Sequence, residues 1–581
     1  MDTIRAGCLV GCFFFLLSSW GGCAPSTSPS ETQQESTQDA TTHTEPTNTP
    51  DVIVQEGSTD NAKGLEQVVV PDTPSADKRV RDQAPIEAPP KEQVVVPEQP
   101  PTPKTPCQVP KIEVDTSTPA QVVGNGTPQS CDEAALRKAI SSGGIITFRC
   151  GAAQHTIRLQ SELKVTKDTV LDGGGNITLD GNKKTRILHV ASSFEKLTPK
   201  VTVQHLTFIN GKTTAPANTK DTDKGGAAIY RLGGTLHIYG CTFRDNVGPV
   251  TGQDVAGGAV YAIGKGPLVI AESTFTNNRC SSGGAIGNLH NDLQLVNSVV
   301  TGNEATGSGG NPGNGGNGGG IYMDGVGNEL LLCGVTLSQN KGKAFGGGVF
   351  RVSNREMPVT KIEYSSIEKN TLTEKTQGLG GGLYLQGNTV TIKASLIAHN
   401  SSRGAGGIFF GPRSSIEMEN VTIAHNTATM SLGGGLSAGN DITGSFKHVT
   451  FANNAAPGAQ SFAAAMTGGK LLTIKNSLFV GHTAGNKWVD LTCRETMKDG
   501  GGNIQWPKQR TSGQDDKPCT PNITFANVAV GGLKDNGGPT KTMLPSGGGG
   551  ALQKGSGCAA TDQRGQPRKK NGCTIGAVEL P

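Results

Sequence analysis

The chain has 581 residues, of which 83 are Gly and 32 are Pro, with hydrophobic residues at 34% and a formal net charge of +4. Gly at about twice the usual ~7%, clustered as GG and GGG instead of recurring at every third position, excludes collagen and assigns Gly to regular turns. The near-balanced charge offers no basic excess to neutralise phosphates, which excludes nucleic acid as a partner held by bulk electrostatics.

In chain order, residues 1–23 read as an export signal: Arg5, then an apolar run from Cys8 to Leu17 too short to span a bilayer, then small residues. Gly21, Gly22 and Cys23 resemble the end of a bacterial lipobox. That resemblance implies a lipid on Cys23 as the membrane attachment, and Ala24 after it implies the outer membrane; cleavage and free secretion is the alternative. Residues 24–106 hold 14 of the 32 Pro and only two of the 83 Gly, with EQVVVP at 66–71 and again at 92–97. Such a tract cannot pack a core and reads as a stalk. Residues 107–156 read as the cap of the folded body, where Ser130 with Glu133 forms a capping box opening a helix through Ala134 to Ile140 that stops near Gly143.

Residues 157–490 carry a repeat. Two small residues and a third, an aliphatic residue, then an apolar strand closing on Asn recur eight times, ending at Asn246, Asn278, Asn303, Asn340, Asn370, Asn400, Asn426 and Asn454. The spacing averages about 30 residues, the period of a stacked repeat. Three residues before each Asn the side chain is apolar, from Phe243 to Phe451, and so it is eight before, from Ile238 to Phe446. An odd separation cannot place both on one side of a straight strand, so a corner must lie between them. Short strands that turn corners and return every ~30 residues predict an all-β fold, a parallel β-helix of ten to twelve coils. Seven before the Asn, Glu363, Lys393, Glu419 and Lys447 fall on the outward parity as an alternating ladder of little energetic weight. The Asn column reads as a stacked amide ladder satisfying turn backbone.

GGA or GGG with an aliphatic residue, alternating with Phe-x-x-Asn, resembles the polymorphic outer membrane protein repeats. The opening VGNGTPQSCDEAALRKAISSGGIITFRCG with TVLDGGGNITLDG is similar to β-helix proteins of the pectin-lyase-like fold, which implies right-handed coiling. The closing LKDNGGPTKTMLP and DQRGQPRKKNGCTIGAVE, within residues 491–581, resemble the choice-of-anchor Q domain. These resemblances imply fold far more than activity, since β-helices host lyases, glycosidases and adhesins alike.

The candidate catalytic pair is Asp292 and Glu329, both eleven residues before their Asn in consecutive units. Asp172 and Asp180 read as structural, and His399 and His425, stacked before Asn, as surface. The candidate ligand platform is the position after the aliphatic residue of each GG motif, where Tyr230, Tyr261, Tyr322, Phe350, Tyr384 and Phe409 fall on the outward parity beside small residues. Ten Cys outside the leader suit an oxidising exterior, and Cys131 with Cys150, Cys493 with Cys519 and Cys558 with Cys573 are close enough in sequence to pair. Cys241, Cys280 and Cys333 are expected to stay unpaired with one another, and the partner of Cys107 is left open. No cofactor and no metal is expected. The reading is a monomeric, surface-exposed envelope lipoprotein, a non-catalytic β-helix scaffold for adhesion or for binding glycan or protein; the alternatives are a polysaccharide-active lyase or glycoside hydrolase, and a passive structural protein.

Overall fold

Each coil turns its corners on residues in the left-handed backbone region. Six residues before the Asn stand Glu272, Asn297, Tyr364 and Ala394 with φ between 45° and 50°, and one residue before it stand Asn277, Gln339, Lys369 and His399 with φ between 55° and 57°. The corner required by the odd spacing is the first of these. A further corner falls on the first small residue of most GG motifs, such as Gly257 at φ 71°, where Gly avoids the Cβ penalty. The second Gly has another reason: a Cβ on Gly258 would lie 2.2 Å from the carbonyl oxygen of Gly284 in the next coil.

The computed structural model describes residues 105–213, 221–310, 312–373 and 378–581; the export signal, Cys23 and most of the Pro-rich tract lie outside the described residues. Within them the strands form a long sheet of 24 strands bent at its middle, a sheet of 11 that includes the strands after the GG motifs, a narrow sheet of 8 and a two-stranded antiparallel pair near the C-terminus. One coil runs Val260–Ile263, Leu268–Ala271, Thr274–Thr276 and Arg279–Cys280 across these faces. The rungs are parallel, and in the repeats each is in register with the next: Val260 pairs Ile286, Ile270 pairs Leu295 and Phe275 pairs Val300. The result is a parallel β-solenoid of about 13 turns. It exceeds the ten to twelve coils expected because the long sheet continues past 490 through Lys498–Asp499, Ile504–Trp506 and Thr524–Phe525, where the Asn signal has ended.

Both apolar columns point into one continuous core, and Phe208, Phe243 and Phe275 stack there with centroids 4.8 and 4.7 Å apart. The helix Glu133–Ser142 closes the first coil with Leu136, Ala139 and Ile140. Its cap is Asp132, whose carboxylate accepts from the Ala135 N–H, and not Ser130. Ser130 ends a preceding 3-10 turn, where its hydroxyl accepts from the Asn125 N–H and donates to the Thr127 carbonyl. The charge ladder is in register, Glu363 beside Lys393 and Glu419 beside Lys447, with Lys447 Nζ 3.6 Å from Glu419.

Disulfides join Cys131 to Cys150, Cys493 to Cys519 and Cys558 to Cys573, and a fourth joins Cys107 to Cys333 across 226 residues. Cys241 and Cys280 are free and buried, while Cys333 is bridged to a cysteine outside the three. The three are indeed not joined to one another, and the coil register that kept them apart holds. Cys333 ends a long-sheet strand, and a strap from residue 105 runs along the outside of that sheet to meet it. Thr105 bonds Asn297, Ile112 packs on Ala271 and Val296, the Val114 backbone bonds Gln204, and Thr116 bonds Asp172. At the other end the final residues fold back over the last coils, where Val528, Met543, Leu552 and Ile575 cover Ala424, Ala452, Leu478 and Val480.

Candidate functional site

The repeated polar residues are occupied by one another. Asn278 Oδ1 accepts from the backbone N–H of Asn246 at 3.1 Å and from its Nδ2 at 2.9 Å, and Asn246 Nδ2 also reaches the Phe208 carbonyl. The same geometry repeats to Asn454, each Asn fully buried. The ladder is longer than the Asn count: Gly211 N–H donates to Asn246 at one end, and Asn454 N–H donates to His482 Nδ1 at the other. A second ladder of Ser hydroxyls, including Ser273, Ser298, Ser365 and Ser395, caps N–H groups at the bend of the long sheet. Apolar pattern reading passes over it because Cys241 and Val335 hold the same place in other coils.

The aromatic row points away from the core, yet it is no open platform, and that expectation is corrected. Tyr230, Tyr261, Tyr322 and Phe350 are at most 3% exposed, with Tyr384 and Phe409 partly covered. Neighbouring rings take each other's faces, Tyr322 on Phe350 at 5.4 Å, Phe350 on Tyr384 at 5.2 Å and Tyr384 on Phe409 at 5.1 Å. Residues just before the GG motifs cover the remainder: Phe345 lies over Phe350 and Tyr384, Tyr230 Oη donates to Asp223, and Tyr261 Oη donates to the Asp254 carbonyl. Burial holds the Tyr384 hydroxyl well above its ordinary range, at about 12.

Beside this row Tyr322 Oη lies 3.3 Å from Asp254 Oδ1 and 3.2 Å from Asp324 Oδ2. Burial, aided by the Asp254 charge, raises the Asp324 carboxyl to about 6. Inside the solenoid, Arg231 and Arg351 are fully buried on the core side of the GG sheet, spending NH1 of Arg231 on the Gly234 and Gly266 carbonyls and NH1 of Arg351 on that of Val352. Desolvation lowers them to about 9 and about 10. Apolar periodicity gave no sign of either.

Asp292 and Glu329 do become neighbours, at the rim of a cleft of about 270 Å³ that also holds Gln294 and Lys361. Asp292 Oδ1 is engaged by the Glu329 backbone N–H at 2.8 Å, which makes it a rung tie. Asp172 is held below the usual carboxylate range: burial pushes it up, but bonds from Thr116, Gly174, Gln204 and His205 outweigh this. His399 and His425 stack at 4.7 Å on an outer corner. His448, Cys558 and Cys573 lie close enough to ligate one ion, but the two sulfurs are bonded to each other.

The site that sequence reading missed stands where the repeat ends. A cleft of about 390 Å³ is lined by Phe462, Trp488, Asp490, Arg494, Glu495, Arg510 and Lys517. Trp488, 63% exposed, is the one exposed aromatic among the described residues. Asp490 binds Arg510 at 2.9 Å and Lys517 at 3.1 Å, and the Arg494 guanidinium lies 3.8 Å over the Phe462 ring. The walls are fixed: Cys493–Cys519 joins the segments carrying Arg494 and Lys517, and the buried Asp516 accepts from the N–H groups of Leu491 and Thr492. Arg510 also donates to the Trp488 carbonyl.

Residues 319–496 match the family model described as the right handed beta helix region. No curated protein matches the chain. Among solved structures, the mannuronan C-5 epimerase AlgE4 A-module of Azotobacter vinelandii aligns at 13% identity and a TM-score of 0.35, over 70% of this chain and all of that one. PfbA, a surface adhesin of Streptococcus pneumoniae, aligns at 10% identity and a TM-score of 0.32, over 73% of this chain and 99% of that one.

Proposed function

We propose that the chain is an extracytoplasmic bacterial envelope protein, attached to the outer membrane through a lipid on Cys23 and holding a non-catalytic β-helix outward for adhesion or for binding glycan or protein. Its repeats are those of the polymorphic outer membrane protein type, and its C-terminal part is of the choice-of-anchor Q type. The observation that carries the reading is the set of four disulfides, above all Cys107–Cys333, because such bonds persist in oxidising compartments and are rare where thiols are kept reduced. The export-like residues 1–23 and the Pro-rich tract that follows supply the route and the spacer.

Expression of the full chain in a bacterial host with palmitate labelling tests this. Wild type is expected to label, to sediment with the outer membrane and to be cleaved by protease added to intact cells, while Cys23→Ser loses label and sedimentation together. Retention of the wild type in the cytosol with its thiols reduced overturns the reading.

A polysaccharide-active enzyme is the second reading, favoured by the convergence of Asp254 and Asp324 on Tyr322. A carboxyl near 6 is suited to giving and taking a proton near neutral pH. New reducing or unsaturated ends from a polysaccharide panel, abolished by Asp324→Asn, establish it; no ends with any substrate removes it.

A further inference from the structure

The cleft around Trp488 has the composition of a saccharide site, and we infer that it binds an anionic sugar unit of a polysaccharide. The inference gives the ligand class and place that the binding reading above leaves open, and rests on that reading for its biological setting. Three features carry it.

The first is the ring. A large amphipathic ring left in water beside a cleft offers a flat apolar surface to the C–H face of a pyranose. Everywhere else among the described residues this chain covers its aromatics, stacking Tyr322, Phe350, Tyr384 and Phe409 on one another. Trp488 stacks on no ring; Lys487 Nζ lies 5.1 Å from its centroid.

The second is the charge balance. Arg494, Arg510 and Lys517 face Asp490 and Glu495, so the lining carries one cation more than its anions, and Lys487 adds another at the Trp488 ring. Asp490 is bound by Arg510 and Lys517 together. Those cations keep further donor N–H groups for a carboxylate or sulfate, while the carboxylates accept from sugar hydroxyls.

The third is rigidity. The disulfide Cys493–Cys519, the Asp516 bonds to Leu491 and Thr492, and the Arg510 bond to Trp488 hold the walls before any ligand arrives. A site fixed in advance loses little freedom on binding.

The test is retention and titration of the full purified chain against hyaluronan, which is carboxylated, heparin, which is also sulfated, and neutral dextran. Binding of at least one anionic polymer at least tenfold tighter than dextran is expected, weakening with salt. Trp488→Ala should reduce it more than tenfold, and Lys517→Gln should narrow the preference over dextran, both with the unfolding midpoint unchanged. Preference for hyaluronan or for heparin identifies carboxylate or sulfate as the recognised group. Equal affinity for dextran, or undiminished binding by Trp488→Ala, overturns the inference. That failure is separate from failure of the envelope reading, because surface exposure and labelling through Cys23 are measured on cells and do not depend on the cleft.

Discussion

The body of the solenoid and its C-terminal end use similar side chains in opposite ways. In the body, where each coil repeats its neighbour, the Asn side chains of the column bond from rung to rung and each aromatic of the row lies against another ring. At the end, where Trp488, Asp490, Arg494 and Arg510 follow no period, a ring stands 63% exposed beside fixed charges. Exact repetition supplies each residue with a partner of its own kind one rung away. Capacity for a foreign ligand is left where the repetition stops.

The largest break in this comparison is to strip the aromatic row. Tyr322→Ser, Phe350→Ser and Tyr384→Ser together should destabilise by roughly 6 kcal/mol, since removal of one buried ring costs about 3 kcal/mol and contacting sites do not add fully. Urea unfolding should show it while polysaccharide retention stays unchanged; loss of retention at intact stability would restore the row as a ligand surface. Next comes the amide ladder. Asn340→Ala leaves the N–H of Asn303 unanswered inside the core and takes one bond each from the Asn303 Nδ2 and the Val300 carbonyl, a loss of about 3 kcal/mol at 1–3 kcal/mol per buried unsatisfied group. A smaller step sharpens the ladder's end. Burial lowers His482 to about 3, so the fold keeps it neutral, whereas the unfolded chain takes up a proton below about 6.5. Its contribution is therefore full above about pH 6.5 and falls as pH drops towards 3, by about 1.4 kcal/mol per pH unit. His482→Asn should flatten that part of the stability–pH curve. Trp488→Ala, at the aperiodic end, should leave the unfolding midpoint where it was.

The fold was legible because its signal is written eight times: the two apolar columns with odd spacing demand the corner that Glu272 and Asn297 make. Where the same rung is held by another residue, as by Gly211 and His482, a rule phrased on Asn misses it. The outward direction of the aromatic row follows from alternation, but its cover does not, because Asp223 and Asp254 stand seven residues before their rings with no apolar signal, and Phe345 holds a rung that Leu379 and Gly404 fill in later coils. Cys333 could not be matched to Cys107 from spacing, since the strap that brings them together crosses several coils. Trp488 was illegible for the same reason that makes it interesting, as it belongs to no column.

That strap also decides where mechanical load enters. A parallel stack pulled from its first strand would peel one rung at a time, each giving way at low force. Here the strap is bonded covalently through Cys107 to Cys333, so tension arriving from the N-terminal side of that bond goes into a coil well inside the stack. The coils formed by residues 121–332 lie in a closed covalent loop and are shielded from unravelling. Cleavage of that single bond would move the pulling point to the strap itself and expose the first coil to being stripped.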